Sequence, residues 1–141
     1  MRVFLDTSSL FKLYHKEIGT EDLLNLFKIN TMEAIYLAEI AKIEFSSVIW
    51  RKCRMKEIDE FDGRKLLEKF EKDYPQFSFV PDTDELRSTA KNLIEKHWKT
   101  GLRTLDSIQL STAISVKNEI ERFISADRLL IETAKREGFK T

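Results

Sequence analysis

Four acidic residues occupy positions where they could act together in catalysis, at the ends of apolar segments or in the first turns of helical segments. They are Asp6, Glu44, Asp106 and Asp127. Asp6 follows the apolar run at 3–5, and Asp127 follows a second strand-like stretch at 122–126. Their immediate neighbours are mostly uncharged, whereas acids such as Glu68 stand beside lysine. The pattern predicts a cluster of carboxyl groups in a partly desolvated place.

Carboxylates brought together in this way repel each other. Two unit charges about 4 Å apart repel by about 4 kcal/mol at an effective dielectric constant of about 20. A divalent cation removes this cost, and a set of oxygen ligands favours Mg²⁺ or Mn²⁺ over zinc. Such an ion lowers the pKa of a bound water and neutralises charge on a phosphate. The four acids therefore indicate metal-assisted hydrolysis of a phosphoester.

Alternating strands and helices must position these acids. Apolar and β-branched runs predict strands at 3–5, 34–38, 77–80 and 122–126. Helical patterns predict helices at 10–14, at 22–27 after a Thr20 cap, at 39–56 and at 60–72 after an Asp59 cap. A fifth helix would run from the turn at 81–84 to about 97, and a sixth would begin at a Thr104 cap and carry Asp106 in its first turn. The last predicted helix is 128–136, with Gly138 as its C-terminal cap.

This alternation predicts an α/β fold, a three-layer α/β/α sandwich around a parallel sheet of about four or five strands. In a parallel sheet all strand ends and the following helix starts collect at one edge, where such folds bind ligands. Acids that are distant in sequence would meet there. Asp6 or Thr7 could instead be only an N-cap, since capping is a common use of Asp, Ser and Thr. The stretch around Asp6, taken alone, fits a helix cap and a catalytic acid equally well.

The composition sets wide bounds. The chain has 141 residues, which we expect to form one domain at 1–141, with 42% hydrophobic and 34% charged residues. Its 24 basic and 24 acidic residues balance, so any contact with nucleic acid must come from a local patch. The single cysteine, Cys53, fits a reducing compartment. Neither a secretory leader nor an apolar run long enough to span a bilayer is visible, and we expect a cytoplasmic protein without membrane contact.

Four motifs in order resemble the PIN domain nucleases, in particular the VapC-type toxins of toxin–antitoxin modules. The motifs are FLDTSSLFKLY, AEIAKIEFSSVIWR, RTLDSIQLSTA and FISADRLLIETAKREG, and together they cover nearly the whole chain. The resemblance implies an endoribonuclease that depends on Mg²⁺ or Mn²⁺, an RNA substrate, a cognate antitoxin and a homodimer. The helices near 21–27 and 44–56 are candidates for the dimer surface. A further strand, usual in the family, would have to be short or absent after Gly138.

The resemblance also implies roles for individual residues. Asp6 and Asp106 would be the most direct metal ligands, and Glu44 and Asp127 would complete the pocket directly or through water. One of these carboxylates, or a metal-bound hydroxide that they orient, would activate the attacking water. Ser8 and Ser125 would orient ligands or phosphate. Arg128 is a candidate for substrate contact on a different ground, because it directly follows Asp127 in the sequence.

Other interpretations of the charged and polar residues remain open. The basic run at 51–56 fits an RNA contact or a solvated helix end. Lys99 and Arg103 flank the third acid and are further candidates for substrate contact. His15 and His97 are expected at the surface. A PIN nuclease of RNA processing, or a PIN-like scaffold without catalysis, fits the same motifs as a toxin.

Two other families that use an acid at the end of the first strand fit less well. A phosphatase of the haloacid dehalogenase type needs a second aspartate two residues after the first, and Ser8 occupies that position. A phosphoacceptor receiver domain needs an acidic pair on its first strand and a late Lys-Pro, which the chain lacks.

Overall fold

The computed structural model describes residues 1–141, and its centre is a sheet of four parallel strands. The strands are β1 (Arg2–Leu5), β2 (Ala34–Ala38), β3 (Ser78–Val80) and β4 (Arg122–Ile124). Their order across the sheet is β3-β2-β1-β4, and every neighbouring pair is parallel. The first strand of the chain therefore lies inside the sheet, with the last strand beside it.

Residues of β1 alternate between the two faces of the sheet. Val3 and Leu5 belong to the apolar core on one face, whereas Phe4 belongs to the core on the other face and stacks on Phe123 with ring centroids 5.6 Å apart. All three side chains of β1 are fully buried. A strand that is covered on both faces needs a continuous apolar run rather than alternation, which explains why residues 3–5 are all apolar.

Seven helices cover the sheet. They are α1 (Thr7–Lys12), α2 (Thr20–Ile29), α3 (Ala41–Arg54), α4 (Glu60–Asp73), α5 (Asp84–Lys96), α6 (Thr104–Ser115) and α7 (Arg128–Arg136). Helices α1 to α4 contribute to the core on the face of Val3 and Leu5, and α5 to α7 contribute to the core on the face of Phe4. The predicted α/β/α sandwich is confirmed, with four strands.

Phe70 anchors α4 to the rest of its layer. Its ring is 1% exposed and lies 4.3 Å from the ring of Phe45 in α3, between centroids. Tyr14 and Tyr74 pack edge-on against it at 5.5 and 4.9 Å. Because Phe45 directly follows Glu44, this packing also helps to fix the position of the second acid.

Helix boundaries differ from the predictions in several places. The first helix begins at Thr7 rather than near Leu10, because Asp6 caps it. Thr20 and Thr104 are the first residues of their helices and not the caps. The hydroxyl group of Thr20 instead accepts a hydrogen bond from the backbone N–H of Glu17 and donates to the carbonyl oxygen of Lys12.

Burial also differs from the sequence pattern at three positions. Ile43 and Phe61 are 73% and 65% exposed, although both fit the apolar pattern of their helices. His97, predicted at the surface, is 6% exposed and lies 3.3 Å from a carboxyl oxygen of Glu137. The cause is the position of His97 at the end of α5, where the end of α7 folds over it.

The chain after α7 forms no strand. Gly138 adopts a positive φ of 82°, as a C-terminal capping glycine does. The carbonyl oxygen of Lys140 then accepts a 2.8 Å hydrogen bond from the backbone N–H of Phe123 in β4. No helix combines the length and the apolarity that a membrane span requires.

Candidate active site

Asp6 lies at the carboxyl end of β1 and is 4% exposed. Its backbone N–H continues the sheet by donating to the carbonyl oxygen of Ile124 in β4 at 3.1 Å. Its Oδ1 accepts from the backbone N–H of Ser9 at 2.9 Å, so the side chain caps α1. The same carboxyl group is therefore both a helix cap and an acid at the edge of the sheet.

Two serines hold the carboxyl group of Asp6. The hydroxyl group of Ser8 donates to Oδ1 and Oδ2 at 2.7 and 2.9 Å, and that of Ser125 donates to Oδ2 at 2.6 Å. The Ser125 oxygen also accepts from the backbone N–H of Asp127 at 3.0 Å, and the Ser8 oxygen accepts from that of Ala126. This network ties the loop after β4 to the end of β1.

Glu44 lies in the first turn of α3 and is held by two residues from other helices. Its Oε1 accepts a 3.0 Å hydrogen bond from the hydroxyl group of Thr7 and a 2.7 Å bond from Nε2 of Gln109. Nε2 of Gln109 also lies 3.0 Å from the hydroxyl oxygen of Thr7. Glu44 is thereby attached to both α1 and α6.

Asp106 and Asp127 complete the cluster from α6 and from the start of α7. Asp127 caps α7 through a 3.2 Å bond from the backbone N–H of Leu130 to its Oδ1. Oδ2 of Asp106 is buried without any hydrogen-bond partner, and Nε of Arg103 approaches it only to 3.8 Å. A buried acceptor left unpaired costs about 1–3 kcal/mol, so Oδ2 of Asp106 is an oxygen that a bound cation or donor would stabilise.

The acids influence one another electrostatically. Burial raises the pKa of Asp6, and hydrogen bonds from Ser125, Ser9 and Ser8 oppose that rise. Burial also raises the pKa of Glu44, and the charges of Asp6 and Asp106 add to it, against the bonds from Gln109 and Thr7.

The pKa of Asp106 is raised by burial and then by the charge of Asp127, with Arg103 opposing. The structure thus brings all four predicted acids into one connected set.

The donor set suits a hard divalent cation, although the side chains do not form a ready-made shell. All candidate ligands are carboxyl oxygens, which Mg²⁺ and Mn²⁺ prefer. The unpaired Oδ2 of Asp106, and the burial that raises the pKa of Asp6, Glu44 and Asp106, make these carboxyl groups ones that a cation would stabilise. No three His, Cys, Asp or Glu side chains are already arranged to hold a metal ion. The residues therefore suit a divalent cation by the chemistry of their oxygen donors, although the structure does not hold them in a closed coordination shell.

Three exposed arginines either adjoin the acids in sequence or line the cavities beside them. Arg103 is 81% exposed, and Arg128 is exposed and makes no ion pair within 4 Å. Arg51 lies further along α3 and lines a cavity of about 370 Å³ together with Glu44 and Leu105. An adjoining cavity of about 620 Å³ is lined by Glu44, Leu105, Arg103 and Asp106. The two cavities share Glu44 and Leu105 and so form one groove beside the acids.

Sequence reasoning missed Gln109 and gave Thr7 only a capping role. Thr7 does not cap α1; it contacts Glu44. Gln109 is 3% exposed and lies on the same face of α6 as Asp106, which precedes it by three residues. A long amide at a buried helix position one turn from a site acid was the available signal, because buried polar groups need partners.

Comparison with known proteins supports the architecture. The family model for the PIN domain matches residues 3–135. VapC20 of Mycobacterium tuberculosis, described as a sarcin–ricin loop cleaving toxin, superposes with a TM-score of 0.70 at 14% identity, covering 98% of this chain and 96% of that one. A comparison with curated protein sequences gives no significant match.

Two further solved structures share the fold. VapBC2 of Rickettsia felis, bound to a DNA fragment from its promoter, has a TM-score of 0.63 at 16% identity, covering 96% and 92% of the two chains. FitAcB of Neisseria gonorrhoeae has a TM-score of 0.66 at 13% identity, covering 94% and 93%. With strand order, acid positions and a family match over nearly its whole length, the chain belongs to the PIN domain family.

Proposed function

We propose that residues 1–141 act as one nuclease domain that cleaves RNA phosphodiesters with the help of Mg²⁺ or Mn²⁺. The observation that carries this proposal is the connected set of four acids, three of which have raised pKa values and one of which has a buried oxygen without a partner. Asp6 and Asp106 would be the most direct ligands, with Glu44 and Asp127 completing the pocket.

The chemistry divides between the cation and the chain. When bound, a divalent cation supplies Lewis acidity and offsets negative charge on the phosphate. The protein holds Asp6 in place through Ser8 and Ser125, and holds Glu44 through Thr7 and Gln109. One of the four carboxylates would orient and activate the water that attacks the phosphodiester.

An RNA substrate is supported by the exposed arginines beside the pocket. Arg103 and Arg128 flank Asp106 and Asp127 in sequence, and Arg51 lines the adjoining groove. Guanidinium groups pair with phosphate in a fork geometry. These residues would bind the RNA backbone next to the cleaved bond.

A toxin role is supported by the shared fold. Solved structures with this architecture include VapC20, VapBC2 and FitAcB. We therefore propose a cognate antitoxin as the partner, and a homodimer as the assembly. A cytoplasmic location stays a prediction. The alternatives are a PIN nuclease of RNA processing and a PIN-like scaffold without catalysis.

The test is cleavage of a panel of structured RNAs with Mg²⁺, with Mn²⁺ and with EDTA. Asp6→Asn and Asp106→Asn should abolish cleavage. Asp84→Asn is the matched control, because the Asp84 side chain is fully exposed and pairs only with Arg87. Metal-dependent cleavage by the wild type and by Asp84→Asn, but not by Asp6→Asn or Asp106→Asn, supports the proposal. A wild-type protein that neither cleaves RNA nor binds Mn²⁺ in calorimetry contradicts it.

A growth assay separates the toxin from the processing enzyme. Expression of a toxin should arrest growth, and the Asp6→Asn variant should not. Growth that is unaffected by an enzyme active in the cleavage assay would favour the processing role.

A further inference from the structure

Gln109 makes an unusual set of contacts for a buried amide. It is 3% exposed, and its Nε2 donates to Oε1 of Glu44 at 2.7 Å and to the hydroxyl oxygen of Thr7 at 3.0 Å. Its Oε1 is buried and has no partner. Here only the donor is used, and it is used on an acid of the pocket.

The contacts make the two oxygens of Glu44 unequal. Oε1 accepts from both Gln109 and Thr7, and Thr7 in turn accepts from Gln109, so the three side chains form a closed ring. Oε2 receives no hydrogen bond from the protein. Because both donors act on Oε1, the carboxyl group of Glu44 is held through one oxygen while Oε2 keeps its lone pairs unused, in a residue that lines both cavities beside the acids.

We propose that Gln109 is a positioning residue of the acidic pocket, which together with Thr7 holds Oε1 of Glu44 so that Oε2 is the oxygen offered to a divalent cation. This inference rests on the proposed function, since it assigns a role toward the same cation. Partners of this kind orient metal-binding carboxylates, and their loss typically weakens metal binding by about 10–100-fold.

Placement of Gln109 and Thr7 supports this role. Gln109 stands three residues after Asp106 in α6, and Thr7 directly follows Asp6. Each of the two supports therefore belongs to an element that also carries an acid of the pocket. The ring thus sets the position of Glu44 relative to Asp6 and Asp106 at once.

The experiment measures Mn²⁺ affinity by calorimetry, with the unfolding temperature of every variant recorded. Gln109→Met removes the donor and keeps an unbranched side chain that suits a helix. Thr7→Val removes the hydroxyl group, whereas Thr7→Ser keeps it. Thr112→Val is the matched control, because Thr112 is 2% exposed in the same helix and donates only to the carbonyl oxygen of Ile108.

We expect Gln109→Met and Thr7→Val each to weaken Mn²⁺ binding by about tenfold. Thr7→Ser and Thr112→Val should stay within about twofold of the wild type, since neither removes a donor to Glu44. In a Glu44→Gln background, Gln109→Met should change the affinity by less than about twofold, because residues that act through one another are not additive. A purely structural role would weaken binding in both backgrounds.

Three results would overturn the inference. The first is wild-type affinity in Gln109→Met, and the second is an equal loss with and without Glu44; either leaves the proposed function intact. The third is a wild-type protein that binds no Mn²⁺, which overturns the proposed function and this inference together. If Gln109→Met does not fold, the Thr7→Val and Thr7→Ser pair carries the same test, because Thr7 donates to the same oxygen.

Discussion

Substituting Asp6 by alanine and by asparagine separates two things that its carboxyl group does. Both substitutions remove a buried negative charge, so the relief of desolvation and of repulsion from Glu44 is common to them. Asparagine retains an oxygen that can accept from Ser9 and Ser8, and it caps helices as well as aspartate does. Alanine retains neither bond. The difference in stability between the two variants therefore measures the structural role alone.

The contacts set the size of that difference. Loss of an aspartate or asparagine cap to alanine costs about 1 kcal/mol. Loss of the acceptor for the Ser8 hydroxyl adds about 1 kcal/mol, the net value of an ordinary hydrogen bond. The Ser125 hydroxyl loses Oδ2 as its acceptor in both variants, so this loss cancels in the comparison, and the Ser125 oxygen has a second lone pair that can accept from the N–H₂ group of Asn. We expect Asp6→Ala to be about 2 kcal/mol less stable than Asp6→Asn.

Urea unfolding followed by circular dichroism, first in EDTA, gives the comparison. A second series contains Mn²⁺ at about 100 times its dissociation constant, which should stabilise the wild type by about 2.7 kcal/mol and leave both variants unchanged. Equal stability of the two variants would refute the capping argument. Stabilisation of Asp6→Asn by Mn²⁺ to the wild-type extent would refute the role of Asp6 as a direct ligand.

Three further results are expected. In EDTA, the free energy of unfolding should fall as pH rises above about 4, because the raised pKa values of Glu44 and Asp106 mean that the folded state holds protons longer than the unfolded state, and Mn²⁺ should remove this fall; a flat pH profile would contradict it. Gly63→Ala should destabilise by about 1–3 kcal/mol in urea, despite a better helix propensity, because its Cβ would lie 2.7 Å from Sγ of Cys53 and 3.1 Å from Cγ2 of Ile49. Adding Cys53→Ala should restore part of the loss, since the Ile49 contact remains. Phe70→Ala should cost about 3–5 kcal/mol in the same assay, and a loss below about 2 kcal/mol would contradict its anchoring role.

Local pattern was enough to predict the strands and the acids. Residues 3–5 and 34–38 are apolar runs of the right length between breakers, and both lie within strands of the structure. Since parallel strands place their carboxyl ends at one edge, the positions of Asp6 and Asp127 followed without any knowledge of contacts. The roles assigned to the individual acids stay predictions.

Other features depend on contacts that no local pattern contains. Ile43 and Phe61 match the apolar stripes of their helices, but the fold leaves both side chains largely exposed. His97 is buried by the end of α7, which is distant in sequence. Gln109 is an ordinary polar residue until the fold places Glu44 and Thr7 beside its amide. These positions are determined by tertiary packing.

The sheet order has a consequence for when the pocket can form during synthesis. Strand β1 is synthesised more than a hundred residues before its neighbour β4 and the Ser125 hydroxyl that holds Asp6. Until β4 docks, Asp6 lacks both this partner and the backbone bond to Ile124. The hydrogen-bonded environment of Asp6 seen in the structure therefore forms only after the segment that carries β4 and Ser125 has been synthesised.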